Sequence, residues 1–506
     1  MARKFLKDAV AGTNLSEIFT PFNMGLLLLL VGSLVYLVIS RRHLPPGPFP
    51  IPLFGNLHMV GNGNFLYRKL FLLRKKYGNV FRMTFGSTNA VIVSGHDLIR
   101  EALVLKGDKF QSRPNWLLGI RKCSSHKGLL WSDGDHWTRV HDLVDTSVRH
   151  PWLGGGGFEE SIHDEAISLA NEIYAEKCTP LNPRAILTKS VLNVLCGFLL
   201  GQRYDTDREE GRGLLNALKP VCNISPIKFP HNYLPFASLF TSSSKLHSMT
   251  SSSNQLKAFL TKALVKEKDT FMATDLRHFV DFWLKSNVDR KGDPVLPDDI
   301  LIQTLVDVMV GGLEPTVNTL LWALLYMVRY PEVQTMCRHD IHKVSKTRDL
   351  TWQDRDQVPF VMATLREVQR ISNVFPLGVP HTTTDDVELG GYKIPSGYMV
   401  LFHLYSSHMD TSYWKRPTEF RPEHFLDSSC QLTTNDTFFP YGLGPRCCPF
   451  AAQADKTVYV FFTSILRKFK LNPEVNRVPS TEAEDGAYRC PMPFTLVSVP
   501  IDLQSR

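Results

Sequence analysis

At 506 residues and 43% hydrophobic content the chain has ample material for a sizeable core, and the absence of internal repeats or low-complexity tracts excludes a solenoid or array. A net charge of +8, spread along the chain with basic pairs at 41–42, 74–76 and 467–468, suits an anionic membrane surface or an acidic protein partner and argues against a nucleic-acid binder. Nine cysteines, an odd number without zinc-site spacing, exclude a disulfide framework and suit a main domain in a reducing compartment.

From Phe22 to Ile39 runs an almost uncharged apolar segment followed by Arg41 and Arg42. About eighteen helical residues just span a hydrocarbon core. The run is long for a cleaved signal peptide and has no clear small-residue cleavage site, so a transmembrane anchor is expected over 22–40, behind a short segment at 1–21. Arg3, Lys4 and Lys7 set against Asp8 and Glu17 leave its orientation open. Residues 41–56 form a basic, proline-rich hinge. Its Leu44-Pro45-Pro46-Gly47-Pro48-Phe49-Pro50-Ile51-Pro52 stretch cannot continue a helix and predicts a stiff extended spacer. The remainder, 57–506, is expected to be one large domain.

Beyond residue 60 the pattern is mostly helical, with short strands expected at Val80–Phe85, Ala90–Val93, Val387–Leu389 and Met399–Phe402. The fold class is therefore mainly α with small β-sheets, an α+β arrangement. The Gly154–Gly157 run is expected to be a flexible surface connection. The longest helical signal starts at about Asp298 and ends at Arg329, before Tyr330-Pro331. At 1.5 Å per residue such a helix is roughly 48 Å long, enough to cross the domain. Within it lies Gly311-Gly312-Leu313-Glu314-Pro315-Thr316, where Pro315 clashes with the Gly311 carbonyl and predicts a kink and a freed acceptor.

Glu367 and Arg370 are one helical turn apart and can pair on one face. The run Phe438-Phe439-Pro440-Tyr441-Gly442-Leu443-Gly444-Pro445-Arg446-Cys447-Cys448-Pro449-Phe450 carries the most chemistry. Its two glycines allow a tight turn close to a flat cofactor, and Arg446 can cap an acidic group. Pro449 suits the first position of a helix reaching Phe469, whose positive end would face Cys448 and favour thiolate over thiol. Trp116–Ile120, Phe229–Phe240, Val374–Val379 and Met492–Phe494 are apolar segments, and as pocket walls they imply a lipophilic ligand.

The cysteine run resembles the haem-binding loop of the cytochromes P450, whose usual order is aromatic, glycine, any, glycine, any, arginine, any, cysteine, any, glycine. Tyr441, Gly442, Gly444, Arg446 and Cys448 match, with Tyr441 in place of the usual Phe. Phe450 stands where the family nearly always has glycine, and its ring is expected to crowd the following helix against the haem. Trp137 is similar to the tryptophan of the family's Trp-x-x-x-Arg element, Glu367 and Arg370 to its Glu-x-x-Arg pair, and Phe420–Phe425 to the segment that follows. Phe461–Leu466 and Arg366–Arg370 look most like the microsomal family-2 branch.

This resemblance, which covers essentially the whole chain, implies a cytochrome P450 fold holding haem b, with Cys448 as axial ligand of the iron. Arg113, Trp137, His141, His381 and Arg446 match positions that hold the haem propionates. His141 replaces the usual Arg and gives up its permanent charge, so haem should be held less firmly. Glu367, Arg370 and His424 match a structural lock, with His424 in the place of an Arg. In the distal element Glu314 would pass protons inward. Pro315 occupies the position of the first threonine, and Thr316, rotated about 100° further round the helix, is not an automatic substitute.

The implied function is a haem-thiolate monooxygenase inserting one atom of dioxygen into a lipophilic small molecule of the steroid, fatty acid or xenobiotic class. NADPH-cytochrome P450 reductase would supply the electrons, with cytochrome b5 as a further partner, and no nucleic acid is involved. The implied location is the endoplasmic reticulum membrane, single-pass, with a cytosolic catalytic domain and Asn14-Leu15-Ser16 as a luminal glycosylation acceptor. The departures at Phe450, Pro315 and His141 leave two rivals open. One is a reductase-independent peroxide isomerase or dehydratase; the other is a catalytically impaired membrane protein that keeps the fold.

Overall fold

The computed structural model describes residues 43–59, 66–154, 156–222, 232–234, 244–475, 477–484 and 486–501, with single positions at 24, 25, 28 and 32. Most of the expected anchor, the segment at 1–21 with Asn14, and most of 229–240 lie outside the described residues. The longer helices are α1 (Leu66–Tyr77), α2 (Gly134–Arg149), α3 (Gly156–Ala175), α4 (Pro183–Leu200), α5 (Glu209–Cys222), α6 (Ser244–Thr270), α7 (Asp298–Arg329), α8 (Pro331–Val344), α9 (Pro359–Ser372) and α10 (Ala451–Lys468). Strands β1 (Val80–Phe85), β2 (Thr88–Ser94), β3 (His381–Thr382), β4 (Val387–Leu389), β5 (Tyr392–Ile394) and β6 (Met399–His403) precede α10; β7 (Phe469–Pro473), β8 (Ala483–Glu484), β9 (Cys490–Pro491) and β10 (Leu496–Pro500) follow it.

A helix apolar on every side must be buried on every side, and α7 meets that condition. It packs against α4, α6, α9 and α10 at the centre of the main core, and it stays helical through Pro315. Helices α4 and α7 are long and apolar enough to cross a membrane, yet both are mostly enclosed by the domain. The larger sheet has the order β1-β2-β6-β3, with β2 and β6 parallel and the other neighbours antiparallel. Its register sets His381 beside Val400, and a bridge from Ser112 to Thr382 brings the Arg113 segment to the same edge.

One expectation needs correction. In place of a flexible connection, Gly154 ends a short helix and Gly156 opens α3. The physical reason is packing, since a Cβ on Gly157 would lie 2.3 Å from the Trp152 ring, so glycine admits the indole against the helix. The proline-rich stretch is extended and rests on the domain. The Pro46 carbonyl accepts the Arg82 amide at 2.7 Å, and Gly47 lies directly against the Arg82 backbone, so the stretch is laid along β1.

The Glu367–Arg370 pair forms as expected and is fully enclosed. Arg370 Nε and Nη2 donate to the two carboxylate oxygens of Glu367 at 2.7 Å each. Nη1 donates to the carbonyls of His408 and Pro417, each at 2.8 Å, while the Arg421 amide donates to Glu367 at 2.8 Å. His424 Nδ1 lies 3.1 Å from Glu367 and its Nε2 2.6 Å from the Lys415 carbonyl, so both ring nitrogens face acceptors. One ion pair thus ties α9 to the whole segment from 408 to 424. Arg370→Met leaves Glu367 buried without a counter-charge and should destabilise the domain by about 3–5 kcal/mol in a denaturant titration. A loss below about 1 kcal/mol, as for an exposed pair, would contradict the lock.

Candidate functional site

The cysteine loop wraps under an internal cavity of about 450 Å³. Gly444 has φ 73°, and a Cβ there would lie 1.8 Å from the Leu103 carbonyl, so only glycine lets the loop pass. The Cys448 amide donates to the Tyr441 carbonyl at 2.9 Å, and the Phe450 amide faces the sulfur. Cys448 keeps accessible surface, but this surface belongs to the cavity. Enclosure by protein pushes its thiol up to about 11, against the lowering effect of the Phe450 N–H. Tyr441, where the family has Phe, donates its hydroxyl to Asp455 at 2.6 Å, and Gln369 of α9 donates to both.

Helix α10 begins at Ala451, so Pro449 and Phe450 form the turn before it and not its first residues. Phe450 is the capping residue, with φ −103° and ψ 19°, and its carbonyl accepts the first helical bond, from the Ala454 amide at 3.0 Å. Phe450 lines the cavity, and its ring makes edge-on contacts with Phe198 and Phe279 at 6.0 and 6.4 Å between centroids. An aromatic cluster on neighbouring helices thus receives the ring.

Arg113 and Arg446 meet at one wall. Arg113 donates to the carbonyls of Leu130, Val379 and Pro380, and Arg446 to those of Gln111, Leu129 and Ser132. The Arg446 guanidinium sits 3.9 Å above the Trp137 ring, and His141 lies 4.8 Å from that ring. Among the described residues no carboxylate pairs with either arginine. Burial pulls Arg113 down to about 9; burial and then the Arg113 charge pull Arg446 down to about 8. Guanidinium still holds its proton at neutral pH, so the wall carries two unanswered positive charges. His381 Nδ1 donates to the Phe110 carbonyl at 2.6 Å, and burial holds the ring well below its usual range. Neutral His381 therefore turns only an acceptor to the cavity, and it can donate there only when an anion sustains its imidazolium.

Cys123, Cys222, Cys447 and Cys448 all line the cavity. The Cys448 thiol, with the Phe450 N–H on its sulfur, and two buried cations that no carboxylate pairs suit a flat group with a metal at its centre and carboxylates at its rim. Haem meets that description, and the residues present fit it.

Sequence reasoning did not find Asp307. From α7 it accepts the Leu129 and Leu130 amides at 2.9 Å each, and Gln303 donates to it at 2.9 Å; burial pushes it up to about 6. The carbonyls of the same two residues go to Arg446 and Arg113, so Asp307 positions both arginines from behind. Gly128, at φ 76°, allows this approach, because a Cβ would sit 2.6 Å from the Asp307 carboxylate.

On the opposite side α7 presents Gly311, Gly312, Pro315, Thr316 and Thr319 to the cavity. Glu314 is absent from that wall. It turns to the back of the helix, 3.4 Å from Arg184 Nη1 and 3.4 Å from Asn318 Nδ2, and Arg184 also contacts Asn318 Oδ1 at 2.9 Å and the Cys490 sulfur. Nothing in the local sequence announces Arg184, which lies 130 positions away. Thr316, expected not to be an automatic substitute for the missing threonine, lines the cavity beside Pro315. Val374–Val379 and Ile120 line it as expected, whereas Met492–Phe494 do not: Met492 is exposed and Phe494 belongs to the main core. The preceding hairpin, with Tyr488 and Arg489, takes that place.

Residues 45–497 match the family model described as Cytochrome P450. Human Cytochrome P450 2J2 is 32% identical over 485 residues, covering 93% of this chain and 96% of that protein. Mouse Cytochrome P450 2F2 is 31% identical over 463 residues, covering 90% and 94%. Bovine Cytochrome P450 2U1 is 28% identical over 519 residues, covering 94% of each.

Burial holds the Cys448 thiol above its usual range, and it must lose its proton to bind a metal. Ferric-haem affinity of the haem-free protein, divided by that of Cys448→Ser, should therefore rise about tenfold per pH unit between neutrality and mild alkali, read by absorbance titration; the ratio cancels proton uptake at His381 and Arg446. A ratio independent of pH would exclude the Cys448 thiolate as ligand.

Proposed function

This chain belongs to the cytochrome P450 family, and on that premise we propose that it oxygenates a lipophilic small molecule while anchored by residues 22–40 in the endoplasmic reticulum membrane, its main domain cytosolic. Its cofactor is haem b, and its electrons come from NADPH through a reductase. NADPH-cytochrome P450 reductase is the proposed donor, with cytochrome b5 as a second one. When bound, haem supplies the iron that activates dioxygen, and a cysteine thiolate enriches it with electron density.

Within that reading Cys448 binds the iron, and the Phe450 N–H tempers the charge on its sulfur. Arg113 and Arg446 hold the propionates, Trp137 stacks under Arg446, His381 becomes a donor only when the anion arrives, and His141 contributes a weaker contact than Arg would. The apolar wall from Val374 to Val379 excludes water and accepts the hydrocarbon body of the substrate. Glu314 collects protons behind α7, where Arg184 and Asn318 keep it oriented. Thr316 Oγ1 is the hydroxyl that follows Pro315 on the cavity wall, and it holds the proton there.

The observation that carries the proposal is the coincidence of the Cys448 thiol, in the loop that also carries Arg446, with two arginines that no carboxylate pairs, in a chain matched to the family along nearly its whole length. The test combines the reduced carbon-monoxide spectrum with product formation in reductase-containing membranes. Wild type and Cys447→Ser should show the thiolate band, and Cys448→Ser should lose it. A wild type lacking that band, or one consuming NADPH without oxygenating any lipophile, would defeat the proposal.

Thr316→Val should lower product formed per NADPH by about tenfold or more, the scale of a lost proton donor, while leaving haem content unchanged. Pro315→Thr should raise the same ratio. An unchanged ratio in both variants would remove Thr316 from the proton route.

A further inference from the structure

Three arginines line the cavity, and haem accounts for two. Arg113 and Arg446 share a wall, whereas Arg489 stands just before β9, on a different one. It is only 8% accessible. Its backbone is fixed from both sides: its amide donates to the Val374 carbonyl at 2.8 Å, and its own carbonyl accepts Trp322 Nε1 at 3.0 Å. The guanidinium carbon lies 5.0 Å from the Tyr67 ring centroid and 5.1 Å from that of Tyr405. Nη1 donates to the carbonyls of Ile371, at 3.0 Å, and Ser372.

Ring faces and carbonyls solvate this cation without neutralising it. Among the described residues no carboxylate pairs with Arg489, and neither Nε nor Nη2 has an acceptor. The acids of neighbouring elements are engaged elsewhere: Glu314 with Arg184, Glu367 with Arg370, and Glu484 with the Cys490 sulfur. A buried charge without a counter-charge is costly, and a guanidinium fork is suited to a carboxylate. Leu66, Phe375 and Leu377 beside it in the cavity lining are apolar.

We propose that Arg489 is the anion-binding end of the substrate site, and that the preferred ligand is a lipophile bearing a carboxylate. Its hydrocarbon chain lies along the apolar wall, and its carboxylate takes the unpaired donors of Arg489. The inference rests on the monooxygenase reading in one respect, that substrate occupies this cavity.

The test is a titration of haem-loaded protein with dodecanoic acid and with its methyl ester, followed by the shift of the haem absorption band. Wild type should bind the acid at least about tenfold more tightly than the ester, the gain expected from a charge-assisted contact. Arg489→Met should remove that preference while leaving ester binding within about twofold, and Arg489→Lys should retain part of it. Should Arg489→Met fail to retain haem, Arg489→Gln takes its place beside the Lys variant, with loss expected in Gln only. A wild type that binds acid and ester alike, or a Met or Gln variant that keeps the preference, overturns the proposal. Loss of the thiolate carbon-monoxide band would strike the monooxygenase reading; equal binding by protein that shows the band strikes only Arg489.

Discussion

The pairing of Arg370 with Glu367 is the constraint on which the site depends. Both side chains are fully enclosed, and the arginine spends its remaining donors on carbonyls from His408 to Glu419. His408 then receives the Phe439 amide on Nε2 at 3.2 Å, and its other nitrogen meets Asn373 at the end of α9. One turn of α9 away, Gln369 reaches Tyr441 and Asp455. A single helix thereby holds the start, middle and far side of the loop that carries Cys448. A buried pair contributes little net stability against an apolar replacement, but it strongly disfavours any arrangement that separates its members. That is what a metal-binding loop lacking regular structure requires.

Electrostatic demand runs through the cavity in a consistent sense. The thiol of Cys448 is pushed up and the guanidinia of Arg113 and Arg446 are pulled down, each chiefly by burial. Those three displacements have opposite chemical remedies, a cation for the sulfur and anions for the arginines. One planar cofactor with a central metal and peripheral carboxylates supplies both. The same logic applied to Arg489 leaves one positive charge over, on the substrate side.

The distal helix shows how a departure at a chemically critical position is absorbed. Pro315 cannot donate an amide, yet α7, held by its packing against α4, α6, α9 and α10, stays helical through it. The chemistry shifts instead. Thr319 donates its hydroxyl back to the Pro315 carbonyl at 2.8 Å, leaving Thr316 as the hydroxyl on that wall without a protein partner among the described residues.

Much was legible along the chain. The long, largely apolar run of 298–329 marked one helix to its last residue, alternation marked β1, and the Glu-x-x-Arg and glycine-cysteine spacings marked the Glu367–Arg370 pair and the Cys448 loop. These are local signals, set by periodicities of two and 3.6 residues and by turn geometry. Gly154–Gly157 misled because glycine reads as a loop locally, whereas here it makes room for Trp152. Asp307, Arg184 and Arg489 were silent because their meaning lies in partners more than a hundred positions away. By itself the sequence determined the fold class, the family and the glycine-rich loop that carries Cys448. Only the tertiary structure decided which charges find a counter-charge and which face the cavity unpaired, because burial and pairing depend on the packing of segments distant in the chain.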